Sequence, residues 1–226
     1  MQACGIGGHG PDRATLATVQ TTEQNAPETP SPRAVLDALL EGNARLAGNA
    51  PTGPRRDPAR RAALTSGQAP RAAVLGCADS RVPVELLLDQ GFGDVFVIRN
   101  AGQILDRTVQ ASLEYAITQL GVSVVLVLGH ESCGAVGAAV ADLTGADPLP
   151  GAMPALVEGV RGHLDPEHPA EGAVERHVGA TVAALLRDSE LARAAVETGD
   201  LLVAGGVYGL EEARVRLLED PGITGA

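Results

Sequence analysis

The sequence predicts an α/β fold in which helices flank a central, mostly parallel β-sheet. The first observation is a set of short apolar runs that each stop at polar or glycine residues, at 72–76, 95–98, 122–128 and 201–204. Near-continuous apolar runs of this length are typical of strands that are buried on both faces. The second observation is that segments with helical periodicity lie between the runs, and this alternation favours right-handed crossovers.

An amphipathic arm helix is predicted to precede the sheet. Ser31 is followed by a proline at the first helical position. Apolar residues then recur at helical spacing to about residue 46, namely Val35, Leu36, Leu39, Leu40 and Leu46. This stripe fits packing on the chain's own domain and packing on a neighbouring subunit equally well. A connector rich in Pro and Arg, at 51–61, leads into a short helix.

Further helices are predicted between the apolar runs, at about 83–88, 107–120 and 134–143, with two more within 171–198. Residues 214–218 alternate in polarity after the last run, and they are a candidate for an antiparallel edge strand.

Composition and charge limit the classes of partner. The first 30 residues are rich in Gly, Thr, Gln, Glu and Pro without periodicity, so 1–30 is predicted to be a flexible tail and 31–226 one domain. The net charge of −11 disfavours nucleic acid and anionic membranes as partners. No run of about 18 apolar residues is present, so no membrane span is expected.

The cysteines bear on the compartment. There are three, widely spaced, which argues against a disulfide framework and favours a reducing compartment or a metal site. A cytoplasmic location is therefore expected. The alternative is that Cys4, within Ala-Cys-Gly, is the remnant of a trimmed lipoprotein signal, in which case the protein is exported or lipid-anchored.

Two polar segments each follow directly on a predicted strand. The segment at 77–81 is CADSR and the segment at 129–134 is GHESCG. Ligands bind beyond the carboxyl ends of strands in open α/β sheets, so the two segments are expected to converge. Cys77, His130 and Cys133 would then form a zinc site with an open fourth position. From these residues alone, cysteines and a histidine of an ordinary core remain an equal alternative.

A longer pattern resembles a known family. CADSR is followed by RNAG at 99–102, EYA at 114–116 and GHESCG at 129–134, and this order and spacing resemble the β-carbonic anhydrases from about residue 31 to 218. The resemblance implies one zinc ion per chain with Cys77, His130 and Cys133 as its ligands. It also implies that Asp79 and Arg81 are a catalytic dyad.

The resemblance further implies a substrate pocket and an oligomer. Gln68 is similar to a glutamine that hydrogen-bonds substrate across a dimer interface. A carbon dioxide pocket would be lined by Phe96, Ala101, Tyr115 and Gly134. A homodimer or homotetramer is expected, with the arm helix lying on the neighbouring subunit.

The implied activity is the reversible hydration of carbon dioxide to bicarbonate and a proton, by attack of zinc-bound hydroxide. Hydrolysis of COS or CS2 on the same fold and an inactive zinc scaffold subunit remain alternatives. A redox thiol protein is disfavoured because no Cys-x-x-Cys is present. Whether Asp79 or water takes the fourth zinc position stays open. His163, His168 and His177 are candidates for a proton shuttle by residue type alone.

A second, non-catalytic bicarbonate pocket occurs in some members of the resembled family. It combines an Arg, here Arg99, a Tyr, here Tyr208, and a Trp at the position that Val74 occupies in this chain. Because the sequence contains no Trp, no indole N–H donor is available. We therefore expect this chain to lack the tight bicarbonate pocket.

Overall fold

A computed structural model of the chain describes residues 30–219 and the backbone of residues 223 and 224. The predicted flexible tail therefore lies, except for Pro30, outside the described residues. Within the described ranges, no helix is long and apolar enough to cross a membrane.

One six-stranded sheet organises the described chain. Its strands are β1 (Ala72–Cys77), β2 (Val95–Asn100), β3 (Val124–His130), β4 (Leu202–Tyr208), β5 (Val215–Leu217) and β6 (Ile223–Thr224). The order is β2-β1-β3-β4-β5, with β6 also pairing with β4. The pairs β1·β2, β1·β3 and β3·β4 are parallel, whereas β5 and β6 run antiparallel to β4. The predicted fold class and the candidate edge strand are thus confirmed.

The last parallel strand extends four residues beyond the predicted apolar run. Two glycines, Gly205 and Gly206, interrupt the apolar pattern there. A Cβ on Gly205 would lie 2.9 Å from the side chain of Val178, so the close approach of a helix requires the glycine.

The helices cover both faces of the sheet. They are α1 (Pro32–Ala47), α2 (Pro58–Ala63), α3 (Val84–Leu87), α4 (Arg107–Gln119), α5 (Gly134–Leu143), α6 (Pro154–Arg161), α7 (Ala173–Asp188) and α8 (Glu190–Glu197). The sequence did not predict α6, a short segment interrupted by Gly159. It packs against α5 and buries Val157 and Val160, so tertiary packing stabilises a helix that propensity alone does not.

Helix α1 packs on its own domain. Ser31 accepts a hydrogen bond from the amide of Ala34 and so caps the helix, and Leu36 is fully buried within the chain. A Cβ on Gly42 would clash with the carbonyl oxygen of Leu88, so the backbones of α1 and α3 are in direct contact there. The apolar stripe thus packs on the chain's own domain, and contact of α1 with a neighbouring subunit stays a prediction.

Side-chain hydrogen bonds fix the far end of α1. The buried amide of Asn43 donates to the carbonyl oxygens of Leu87 and Ala213 and accepts from the amide of Val215. These bonds tie α1 to the end of α3 and to the start of β5.

The two inner strands carry the polar segments. Every residue of β1 and β3 is buried, and the strands run parallel, so their carboxyl ends meet at one edge. Cys77 ends β1 and His130 ends β3, which places both side chains where open α/β sheets bind ligands.

Candidate metal centre

Three ligand-type side chains meet at this edge of the sheet. Cys77 and His130 end the two inner strands, and Cys133 is the N-cap residue of α5. Their ligand atoms all lie within 4.8 Å of one another, and all three residues are buried. The Sγ atoms of Cys77 and Cys133 are 3.9 Å apart, and both cysteines are free. The cluster can hold a metal ion.

The imidazole of His130 is held in a tautomer that can bind a metal through Nε2. Its Nδ1 lies 2.8 Å from the carbonyl oxygen of Glu131. Because a carbonyl oxygen only accepts, Nδ1 carries the proton and Nε2 keeps its lone pair. That Nε2 is buried and has no hydrogen-bond partner among the residues that the structure describes. A cation at the cluster would satisfy it.

The two thiols influence each other's ionisation. A hydrogen bond from Cys133 lowers the pKa of Cys77, although burial opposes this change. The amides of Gly102 and Asp79 also donate to the Cys77 sulfur, at 3.3 and 3.4 Å. The same contact with Cys77 raises the pKa of Cys133, and burial raises it further. One thiolate therefore forms readily, whereas a second needs a cation between the sulfurs.

An aspartate–arginine pair stands beside the cluster. Oδ2 of Asp79 lies 3.9 Å from Nε2 of His130. Arg81 donates from Nε to Oδ1 of Asp79 at 3.0 Å and from Nη2 to Oδ2 at 2.6 Å, and its amide adds a bond to Oδ1 at 2.8 Å. These bonds hold the pKa of Asp79 well below its usual range. Nη2 also donates to the carbonyl oxygen of Ser132 at 3.2 Å, so Arg81 links the two polar segments.

Comparison with known proteins identifies the family. A family model described as carbonic anhydrase matches residues 72–215, which contain both polar segments. Carbonic anhydrase 2 of Mycobacterium tuberculosis is 40% identical over 200 residues, covering 86% of this chain and 97% of the relative. The chain belongs to the β-carbonic anhydrase family.

Solved structures agree with this assignment. A β-carbonic anhydrase of Aspergillus fumigatus superposes with a TM-score of 0.64 at 25% identity, covering 81% of this chain and 90% of that chain. One of two tetrameric β-carbonic anhydrases from Sordaria macrospora gives a TM-score of 0.60 at 25% identity, with coverages of 81% and 96%. As a member of the family, the chain is a carbonate dehydratase, a lyase that interconverts carbon dioxide and bicarbonate.

Two of the pocket residues expected in a β-carbonic anhydrase lie beside the cluster. Ala101 directly precedes Gly102, whose amide contacts the Cys77 sulfur. Gly134 directly follows Cys133, and a Cβ on it would have no neighbour within 4 Å, so the space above it is open.

The other three residues expected in the pocket lie away from the cluster of their own chain. Phe96 pairs with Ala73, four residues before Cys77, which places it about 13 Å along the sheet from the cluster at about 3.3 Å per residue. Tyr115 contacts Phe96 with ring centroids 6.2 Å apart and is 48% exposed. Gln68 is exposed in the segment that precedes β1.

Arg99 braces the first polar segment. Its Nε donates to the carbonyl oxygen of Cys77 and its Nη2 to that of Asp79, both at 2.7 Å. The sequence had suggested Arg99 only as part of a bicarbonate pocket. Val74 is fully buried and Tyr208 is nearly so, and both belong to the main hydrophobic core.

Two of the three shuttle candidates contact each other. Nδ1 of His163 lies 2.8 Å from Nδ1 of His177, whereas His168 is exposed. The sequence contained no signal for this pair, because the two histidines belong to different elements and no periodicity links them.

Proposed function

We propose that this chain catalyses the reversible hydration of carbon dioxide at one zinc ion held by Cys77, His130 and Cys133. The observation that carries the proposal is a buried set of two thiols and an imidazole beside an aspartate that an arginine holds by a bidentate contact.

The donor set fits zinc. Zinc–sulfur bonds of about 2.3 Å at tetrahedral angles separate two sulfurs by about 3.8 Å. The separation of the Cys77 and Cys133 sulfurs, 3.9 Å, matches this value. Two thiolates and a neutral imidazole balance the charge of Zn²⁺, and three ligands leave a fourth position for water or for Asp79.

When bound by Cys77, His130 and Cys133, zinc would supply Lewis acidity and make a hydroxide nucleophile available near neutral pH. The chain's own residues do the rest. Asp79 stays ionised and accepts a hydrogen bond at the open side of the cluster. Arg81 holds the carboxylate at that place and would keep it from becoming a ligand of the metal. Ala101, which precedes Gly102 beside the cluster, would supply part of an apolar wall for the uncharged gas.

A second copy of the chain would complete the pocket. Gln68, Phe96 and Tyr115 lie away from the cluster of their own chain, so we infer that a neighbouring subunit supplies them in a homodimer or homotetramer. The support is that β2, which carries Phe96, is an edge strand of the described sheet and that Tyr115 is half exposed. A related β-carbonic anhydrase is tetrameric.

Two alternatives use the same site. Hydrolysis of COS or CS2 needs the same cluster, and only the shape of the access path distinguishes it. An inactive zinc scaffold would not need the bidentate contact between Asp79 and Arg81, so this contact favours catalysis. Two free cysteines as ligands fit a reducing compartment, and we place the protein in the cytoplasm.

The deciding experiment measures zinc content and stopped-flow carbon dioxide hydration on the purified protein. We expect about one zinc per chain and rapid hydration, with COS and CS2 consumed far more slowly. Hydration at the uncatalysed rate by fully zinc-loaded protein would overturn the proposed activity. Preferred consumption of COS or CS2 would favour the alternative substrate.

A further inference from the structure

A pair of histidines lies next to Gly102, on the side of its carbonyl oxygen. His177 lies on α7 and is fully buried, whereas His163 follows α6 and is half buried. Their Nδ1 atoms are 2.8 Å apart, and the rings stack with centroids separated by 5.0 Å and planes inclined by 23°. Two imidazoles this close must share a proton, so one ring donates and the other accepts.

The direction of this hydrogen bond follows from the second nitrogen of His177. Nε2 lies 2.6 Å from the carbonyl oxygen of Gly102. A carbonyl oxygen only accepts, so Nε2 carries the proton of the neutral ring and Nδ1 is bare. His163 must then donate from its own Nδ1. Burial lowers the pKa of His177 to about 4 and also lowers that of His163, so both rings are neutral near pH 7.

Gly102 connects the pair to the metal centre. Its carbonyl oxygen accepts from His177, and its amide donates to the Cys77 sulfur at 3.3 Å. The residue has φ +79°, and a Cβ on it would lie 2.8 Å from the Cβ of Ala135. Gly102 is therefore confined between Cys77 and α5, in a backbone conformation that glycine adopts without strain.

We propose that His177, oriented by His163, is a positioning residue of the metal centre: it holds Gly102 so that the Gly102 amide hydrogen-bonds the Cys77 thiolate. Such a bond withdraws charge from the sulfur and fixes its direction, as outer hydrogen bonds to metal ligands do. The inference rests on the proposed ligation of zinc by Cys77. It gives the chain of contacts His163–His177–Gly102–Cys77 a role in setting zinc affinity.

The tautomers provide a test that needs no turnover and is read on the wild type, with variants used only to assign the resonances. The chain contains five histidines, so ¹⁵N spectra of the imidazoles can be assigned by single substitutions. We expect the zinc-loaded wild type to show His177 protonated at Nε2 and His163 protonated at Nδ1. Protonation of His177 at Nδ1 would overturn the proposal, because Nε2 could then not donate to Gly102.

Variants test the effect on the metal. His177→Ala should weaken zinc binding about ten- to a hundredfold in competition with a chromophoric chelator, the usual effect of removing an outer hydrogen-bond partner. It should also shift the thiolate-to-metal bands of the Co²⁺-substituted protein. His177→Gln, which keeps a donor near the position of Nε2, should retain the zinc affinity and the Co²⁺ bands of the wild type. Thr181→Val is the matched control, since within the described part of the chain this buried hydroxyl on the same helix donates to the His177 backbone carbonyl and not to the imidazole.

The outcomes separate this proposal from the proposed function. Equal zinc affinity in the wild type, His177→Ala and His177→Gln would overturn the role of His177 alone. Equal weakening in the two variants would show that packing, and not the hydrogen bond, matters, which also overturns it. A wild type that binds no zinc would overturn the proposed function itself. If His177→Ala does not fold, the tautomer measurement on the wild type decides.

Discussion

Both carboxylate oxygens of Asp79 are bonded by the guanidinium of Arg81, which also reaches the carbonyl oxygen of Ser132. The aspartate is thus fixed relative to both polar segments. This bidentate contact keeps Asp79 Oδ2 3.9 Å from His130 Nε2, so the carboxylate does not turn fully toward the ligand atoms.

Arg81→Ala should lower carbon dioxide hydration about a hundredfold, since the freed carboxylate can occupy the fourth zinc position. Asp79→Asn should lower activity to a similar extent by removing the acceptor. Stopped-flow pH profiles check this, with zinc content measured in parallel. Full activity in Arg81→Ala would contradict this role of the bidentate contact between Arg81 and Asp79.

Zinc should be lost when any of its three ligands is replaced. Cys77→Ser, His130→Ala and Cys133→Ser each leave two ligands, which hold zinc poorly. Atomic spectroscopy after dialysis should find well under one zinc per chain in each variant. Cys4→Ser, outside the described residues, should retain full occupancy. Full occupancy in all three ligand variants would refute the assignment of the site.

Removal of residues 1–28 should leave zinc content and activity nearly unchanged, whereas removal through residue 46 should destabilise the protein strongly. The longer deletion takes away most of α1, including the buried Leu36 and the hydrogen bonds of Asn43. Leu36→Ala alone should lower the free energy of unfolding by about 2–5 kcal/mol. Leu191→Ala, at a side chain that is 49% exposed, is the control and should change it by less than about 0.5 kcal/mol. Chemical denaturation measures both.

The buried histidine pair should make stability fall in acid. The pKa of His177 drops from 6.5 to about 4 in the folded chain, so the unfolded chain binds the proton more readily. The stabilisation is complete above about pH 6.5 and decreases as the pH falls toward 4, by on the order of 3 kcal/mol in total. The difference in unfolding free energy between wild type and His177→Gln should therefore be constant above pH 6.5 and shrink below it. The difference between the wild type and Thr181→Val, which keeps His177, should not change with pH. A parallel course for wild type and His177→Gln from pH 7 to 4 would contradict this.

Added bicarbonate should not cause cooperative inactivation. Val74 is packed in the core without a donor group, and Arg99 is already bonded to two backbone carbonyl oxygens. The test is the pH profile of carbon dioxide hydration with and without bicarbonate. A cooperative loss below about pH 8 that deepens with bicarbonate would show that a pocket exists without Trp.

The sequence predicted those parts of the fold that local pattern determines. Each inner strand is a continuous apolar run, and α5 begins and ends at the predicted residues, 134 and 143. Helix α6 was missed because its stability comes from packing on α5. Strand β4 was predicted too short because Gly205 and Gly206 serve a close approach that is only visible in three dimensions.

The same distinction between local pattern and tertiary packing applies to the candidate site. The convergence of Cys77, His130 and Cys133 could be predicted, since strand ends of one parallel sheet share an edge. The contact of Arg81 with Ser132 and the pairing of His163 with His177 could not, because each joins side chains whose separation depends on tertiary packing. Phe96 and Tyr115 were expected in the pocket through the family resemblance, and one chain does not bring them there.

The metal centre divides its ligands between two segments whose cysteines are 56 residues apart. Neither segment holds three ligands, so a chain in which β1 and β3 have not yet paired can offer zinc at most two. Closing a connection of this length is a non-local event that comes late in folding compared with helix formation. Under the proposed ligation, all three ligands come together only when β1 and β3 have paired, so full ligation of zinc would follow assembly of the inner sheet. The rate of zinc uptake during refolding would then report when the two strands dock.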